Sequence, residues 1–390
     1  MHIVHVTPYY APAYAYGGVT RSVEGMARAL ARRGHRVTVL TTDAYDRDSA
    51  YAGPLDEVKD GVRVRRARNF SLRLRARLNL STPWGLRALA GEVIPEAEIV
   101  HVHEFRTVEN LLVIPAAERL GKPLVVSPHG TLALGTGRSS LKQVWDALLS
   151  PAMARRFGCV TSLSAAEQAE AQALWQRWGA AARFVVIPNG VDPAEYADLP
   201  GREAFRQRYG LGDGPVCLFM ARLHPRKGVE PLIRAFRQVA VPEARLVIAG
   251  PDEGLLEKLR GLGGEGVVFT GYLTGAERLA ALAAADLLAL PAVGEGLPMG
   301  VLEAMAAGLP VLISPGCNLP EAAAAGAGME VEPTVEALAE ALEALLSDPA
   351  RRAEMGAAAR RLVEARFTWD AAAGQLEDTY RNLITAKKKD

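Results

Sequence analysis

Four charged residues in the second half of the chain have the types and spacing to bind a polyanionic, hydroxyl-bearing ligand. Glu295 and Glu303 stand in the run LPAVGEGLPMGVLEAMAAGLPVLIS (290–314), and Arg222 and Lys227 stand in ARLHPRKG (221–228). Carboxylates accept hydrogen bonds from hydroxyls. An arginine fork and a lysine point charge neutralise phosphate oxygens. Taken together they suit a sugar nucleotide, which has both groups. Taken singly, each is equally a solvated surface charge.

The neighbouring residues say how these side chains are held. In 290–314 an apolar strand leads into a turn with Gly294 and Gly296, Pro298 falls where a helix begins, and Gly308 with Pro310 ends that helix before a second apolar strand. Glu295 then lies in the turn and Glu303 about one turn into the helix. The first N–H groups of that helix lack intrahelical acceptors and carry the positive end of its dipole, which favours an anion. Arg222 follows an expected strand at 215–220, and Lys227 precedes a helix expected from about residue 229. In the first half, His129 sits in the turn SPHG after a strand at 124–127. Gly17 and Gly18 precede a helix expected over 20–33, where glycine either lets backbone approach a phosphate or sugar or simply loosens a loop. On the strand 98–103, His101 reads as a packing residue and His103 as a rim residue, while Glu104, Ser164 and Asn189 read as caps or turn residues.

These elements fall into two series. Strands expected at 2–7, 36–42, 98–103, 124–127, 158–162 and 184–188 alternate with helices near 108–119, 141–156 and 165–178. A second alternation has strands at 215–220, 245–249, 267–270, 286–290, 310–314 and 329–331. Each series predicts a parallel sheet wrapped by helices, so the expected fold is α/β, with two Rossmann-like doubly wound domains facing a central cleft. The Pro- and Gly-rich stretch 192–214 marks the boundary. The expected domains are 1–195, joined by a returning helix at 368–386, and 196–367. No G-x-G-x-x-G follows the strands at His2 or Pro215, which argues against a nicotinamide-dependent dehydrogenase.

The 390 residues carry a net charge of +1, so no global field draws the chain to nucleic acid or membrane. One local run could: VRVRRARNFSLRLRARLNL (62–80) holds many arginines and no acid, and reads either as a solvated edge or as a peripheral contact with anionic lipid. Three scattered cysteines, Cys159, Cys217 and Cys317, form no ligand spacing or disulfide framework and favour a reducing compartment. With neither a leader nor a spanning segment legible, the expected location is cytoplasmic, with association at the inner membrane face through 62–80 as the variant reading. The 387–389 lysines read as a loose tail.

EGLPMGVLE, with seven residues between Glu295 and Glu303, resembles the EX7E motif of the family 4 retaining glycosyltransferases of GT-B fold. MARLHPRKG, VIAGPDEG and FTGYLTGAERLAALAAADLLALP are similar to the elements that precede that motif. HVTPYYAPAYAYGG, SPHG, VIPNGVDP and the final FTWDAAAGQLEDTYRNL are similar to others, so the resemblance runs in order over nearly the whole chain. It implies transfer of a hexose from a UDP- or GDP-sugar to a saccharide or lipid-linked saccharide in glycan biosynthesis, without a cofactor or a metal. By resemblance, Glu303 holds the ribose hydroxyls, Glu295 contacts the transferred sugar, Arg222 with Lys227 neutralises the leaving diphosphate, and His129 meets the sugar. Gly18 and the run Gly296, Leu297, Pro298, Met299 and Gly300 line the donor, and Gly17 with His103 line the acceptor. Leu297 and Pro298 depart from the aromatic and glycine common after the first glutamate, which points to donor choice. A sugar-nucleotide epimerase of the same architecture and a non-catalytic binding module are the competing readings.

Overall fold

The computed structural model describes residues 1–46, 48–71, 74, 81–132 and 139–387. They form two compact units, Met1–Gly190 with Trp369–Asp390, and Val191–Thr368.

In the first unit the strands are β1 (His2–Val6), β2 (Arg36–Thr42), β3 (Asp56–Lys59), β4 (Val62–Asn69), β5 (Pro83–Trp84), β6 (Ile99–His103), β7 (Leu124–Ser127), β8 (Cys159–Ser162) and β9 (Arg183–Val186). Their order across the sheet is β3-β4-β2-β1-β6-β7-β8-β9, with β5 pairing β4. All pairings are parallel except those of β3 and β5 with β4. The chain winds outward from β1 through β2 to β4, then returns to lay β6 against the other side of β1. That reversal places the topological switch between β1 and β6. Every residue of β1 and of β6 is buried, as parallel strands covered on both faces require. His5 and His101 are direct cross-strand partners there.

Trp369–Lys387 is the long helix that closes this unit. It seats on Gly18–Arg32, where a Cβ on Gly25 would overlap the Trp369 ring. Glu377 anchors it by accepting from Arg33 Nε at 2.6 Å and facing His35 Nε2 at 2.9 Å.

Two expectations change here. The helix expected over 141–156 is two helices, Ser139–Leu148 and Ser150–Ala154, because Pro151 has no N–H to continue the ladder and opens the second one instead. The arginine run is not a free cationic surface over its first part. Antiparallel β3 brings acids alongside β4, so Arg63 bonds Asp56 at 2.9 Å and Arg66 bonds Glu57 at 2.6 Å, while Arg65 bonds Glu92 of the helix Leu86–Val93 at 2.8 Å. Residues 72–73, 75–80 and 388–389 lie outside the described residues.

The second unit has β10 (Val216–Met220), β11 (Arg245–Ala249), β12 (Val267–Gly271), β13 (Leu287–Leu290), β14 (Val311–Ile313) and β15 (Gly328–Glu330), in the order β12-β11-β10-β13-β14-β15 and parallel throughout. Its switch lies between β10 and β13. Among the described residues no helix is long and apolar enough to cross a membrane. All three cysteines are free and buried.

Candidate active site

In the second unit the two switch strands deliver their loops side by side. The loop after β10 carries Arg222 and Lys227, and the turn after β13 carries Glu295. Gly228 ties them together: it sits at φ 70°, and a Cβ there would strike the Pro291 carbonyl, so only glycine lets the two segments close. The Val293 N–H then donates to the Arg226 carbonyl at 2.7 Å, and the Arg226 guanidinium donates to the Gly294 carbonyl. The product of this packing is an ion pair, Lys227 Nζ to Glu295 Oε2 at 2.7 Å, with both side chains about seven-eighths covered.

The other two charged residues do not join that pair. Arg222 meets Glu253 at 2.6 Å, in the turn after β11. Glu303, buried in the helix Met299–Ala306, meets Arg278 Nη1 at 2.7 Å. Arg278 in turn donates to the Tyr196 hydroxyl at 3.0 Å. Burial works against the charge on Arg278, and Glu303 with Tyr196 overrides it, so the guanidinium is held above its usual range. The expected single cluster of two cations and two carboxylates is therefore three separate pairs. Each cation is held by an acid from a neighbouring element, and Arg278, Tyr196 and Glu253 complete the set.

Pro298 caps the helix Met299–Ala306, as expected from the sequence, and Gly300 packs it onto the end of β10, with its Cβ position 3.0 Å from the Met220 carbonyl. Gly296, Leu297, Pro298 and Met299 are buried, while Glu295 and Gly300 are half-buried.

In the first unit the loops at the carboxyl ends of β1, β6 and β7 hold the remaining candidates. Gly17 is the N-cap of Gly18–Arg32 at φ 100°, which only glycine adopts readily, and Gly18 opens that helix in an exposed position. His129 follows β7 in the left-handed region, φ 56°. Its turn is clamped. Glu167 accepts from the Gly130 N–H at 2.5 Å and from the Leu163 N–H at 2.6 Å. Thr131 Oγ1 donates to the Pro128 carbonyl at 2.6 Å. Arg106 donates to the carbonyls of Thr131 and Leu132 at 3.0 Å each while bonding Asp146 at 2.8 Å.

His103, expected at the rim, is wholly buried. As the last residue of β6 it is covered on both faces, and its two ring nitrogens are taken by His5 Nδ1 at 2.8 Å and His129 Nε2 at 2.9 Å. Burial lowers the pKa of His5 to about 3 and of His129 to about 4, and lowers His101 and His103 well below the usual value, so all four are neutral. His5, His101 and His103 bring ring nitrogens within 4.8 Å of one another, as a metal site would. Except for His5 Nε2, however, every ring nitrogen of the trio already holds a hydrogen bond: His101 faces Tyr380 OH at 2.6 Å and Ser127 Oγ at 2.7 Å. The cluster is a hydrogen-bond array. His5 was legible only as part of an alternation, HIVHV against IVHVH, which in adjacent parallel strands stacks histidines on one face.

Two doubly wound α/β units, with charged side chains gathered at a switch point, have the architecture of GT-B glycosyltransferases. Comparison with known proteins agrees at three levels. Residues 201–362 match the model of the glycosyl transferases group 1, and residues 16–195 match that of Glycosyltransferase Family 4. The D-inositol 3-phosphate glycosyltransferase of Kineococcus radiotolerans is 32% identical over 98% of this chain and 94% of its own. A GDP-mannose-dependent monoacylated alpha-(1-6)-phosphatidylinositol monomannoside mannosyltransferase of Corynebacterium glutamicum is 35% identical over 75% of this chain and 78% of its own. Among solved structures, the sucrose-phosphate synthase of Thermosynechococcus elongatus superposes with a TM-score of 0.78 over 99% of this chain and all of its own, at 22% identity. The chain belongs to the family 4, group 1 glycosyltransferases, and it is an enzyme that uses a nucleotide-sugar donor.

Proposed function

We propose that the second unit binds the nucleotide diphosphate sugar, the first binds the acceptor, and the hexose is transferred with retention of anomeric configuration. The observation that carries this reading is the Lys227–Glu295 pair at the β10/β13 switch, 2.7 Å long. A diphosphate arriving there draws Lys227 away from Glu295, and the freed carboxylate accepts from the sugar hydroxyls. Lys227, Arg222 and the Gly296–Gly300 backbone then face the charge that grows as the nucleoside diphosphate leaves. Preorganised donors of this kind stabilise a leaving anion without a divalent ion. Glu303 holds the ribose with the oxygen that Arg278 leaves to it, and His129 contacts the transferred sugar. Gly18 supports phosphate with its backbone, and Gly17 borders the acceptor.

Both relatives named above act, by their names, on an inositol phosphate, one free and one lipid-bound. An acceptor bearing that group, taken in the cytoplasm or at a membrane surface, is accordingly the first to test, with a UDP- or GDP-hexose as donor.

The experiment incubates the protein with UDP- and GDP-hexoses and inositol 3-phosphate or its lipid-linked form, in EDTA, and assigns the product by NMR. Acceptor-dependent release of nucleoside diphosphate with an α-linked product from an α-donor is expected. Lys227→Ala and Glu295→Ala should each lower turnover by about a hundredfold or more with the circular dichroism unchanged. Wild-type turnover in both variants sinks the assignment of the site. Nucleoside diphosphate release with an altered free hexose and no acceptor shifts the reading to an epimerase.

A further inference from the structure

Along β4 the arginines change partners. Arg63, Arg65 and Arg66 are each neutralised by an acid, but among the described residues no acid pairs with Arg68, nor with Arg87 in the first turn of the helix Leu86–Val93. Both are exposed. A cation at a helix start opposes the helix dipole, so the charge of Arg87 works against its own helix. In sequence, Phe70 and Trp84 fall between these two cations. They are 79% and 74% exposed, the two barest large apolar side chains among the described residues.

A built element presents them. Arg68 is the cross-strand partner of Trp84 in the antiparallel β4–β5 pair, so the two side chains lie on one face. The alternation of the strand buries Pro83 and leaves Trp84 outside. Phe70 donates its N–H to the Thr82 carbonyl at 2.8 Å, and its ring centroid lies 6.2 Å from that of Trp84. Asn69 roots the pair in the unit. Its backbone N–H and its Nδ2 both donate to the buried Asp43 carboxylate at 2.9 Å, and its Oδ1 accepts from the Thr82 N–H at 2.9 Å.

We propose that Arg68, Phe70, Trp84 and Arg87 form a docking surface for an anionic membrane, with the two rings among the lipid headgroups and the two guanidiniums on lipid phosphates. The charge identifies the occupant. Cations without protein partners attract an anionic leaflet, and an indole, apolar in body and polar at its N–H, favours the boundary between headgroups and acyl chains. Either attraction alone is weak, and a lipid surface supplies both at once. Docking needs neither donor nor acceptor, so it does not rest on the function proposed above; a lipid-linked acceptor would only give it a use.

The test adds vesicles of phosphatidylcholine with about one-third phosphatidylglycerol, free of glycolipid, to the full chain at low salt. Binding at least about tenfold tighter than to phosphatidylcholine alone is expected, weakening as salt is raised. Trp84 is the exposed one of the five tryptophans, the others being buried or half-buried. Its emission should shift to the blue and be quenched by brominated acyl chains. In sedimentation, Phe70→Ser/Trp84→Ser and Arg68→Gln/Arg87→Gln should each weaken vesicle binding about tenfold or more. Absence of binding by the unsubstituted chain overturns the proposal, and so does binding that leaves Trp84 emission unchanged, whatever the variants do. Undiminished binding of the folded Phe70→Ser/Trp84→Ser variant overturns it too, by assigning the contact elsewhere. Self-association that this variant abolishes, without vesicle binding, gives the patch to a second copy instead. Vesicle binding with no glycosyl transfer leaves the docking surface standing and removes the proposed function, and transfer to inositol 3-phosphate without vesicle binding does the reverse.

Discussion

The two units place polar groups at equivalent points of the same architecture by opposite means. At the β1/β6 switch the first unit buries neutral imidazoles, joined nitrogen to nitrogen at 2.8 and 2.9 Å. Around the β10/β13 switch the second unit places opposite charges, paired at 2.6 to 2.7 Å. A neutral chain costs little desolvation and is blind to salt, but it fails once its members take up protons. A buried charged pair leaves an expensive residue behind when its partner is lost. A parallel sheet therefore supplies the position and leaves the chemistry open.

The largest expected way to break this contrast is pH. Unfolded histidines take up protons near pH 6.5, whereas folded His129 does so near 4 and His5 near 3. Below 6.5 the unfolded chain binds more protons and gains, so the stability these groups contribute is complete above 6.5 and falls steadily with acid. At pH 5 each contributes a loss of up to about 2 kcal/mol. Urea midpoints from pH 7.5 to 5 should fall accordingly, and fall less in His5→Asn/His103→Asn. A flat profile would mean the imidazoles are not held neutral.

Next comes Arg278. Arg278→Met strands Glu303 in a site only 5% exposed, and should cost about 3 to 5 kcal/mol in urea unfolding. Adding Glu303→Leu should regain most of it, although nucleotide binding is lost. If the double variant is no more stable than the single one, Arg278 and Glu303 are not energetically coupled.

The smallest effect sharpens the charged side. Arg222 and Glu253 are each about one-third exposed, so removing either should change stability by about 1 kcal/mol or less, and 0.5 M salt should erase the difference. A larger, salt-resistant loss would place this pair with the buried ones.

Local structure was legible wherever a single segment decides it. Pro298, Gly308 and Pro310 bracket a helix that the structure places at Met299–Ala306, and β14 follows at Val311–Ile313. The paired partners were not legible, because sheet order chooses them. Arg278 lies in GAERLAALAA, where an arginine reads as an ordinary surface cation, and only the folded arrangement of the second unit brings it to Glu303. Glu167 lies 37 residues from the Gly130 N–H that it holds. His103 was misplaced for a related reason: one end of a strand looks exposed until the depth of the sheet around it is known.

The helix Trp369–Lys387 has one more consequence, for the order of synthesis. It supplies Tyr380 to His101 and Glu377 to Arg33, yet it is made after the whole of the second unit. All of Val191–Thr368 leaves the ribosome first. The first unit thus cannot be completed before the second has been made, and until Trp369–Lys387 arrives the helix Gly18–Arg32 exposes the groove at Gly25 that Trp369 will fill.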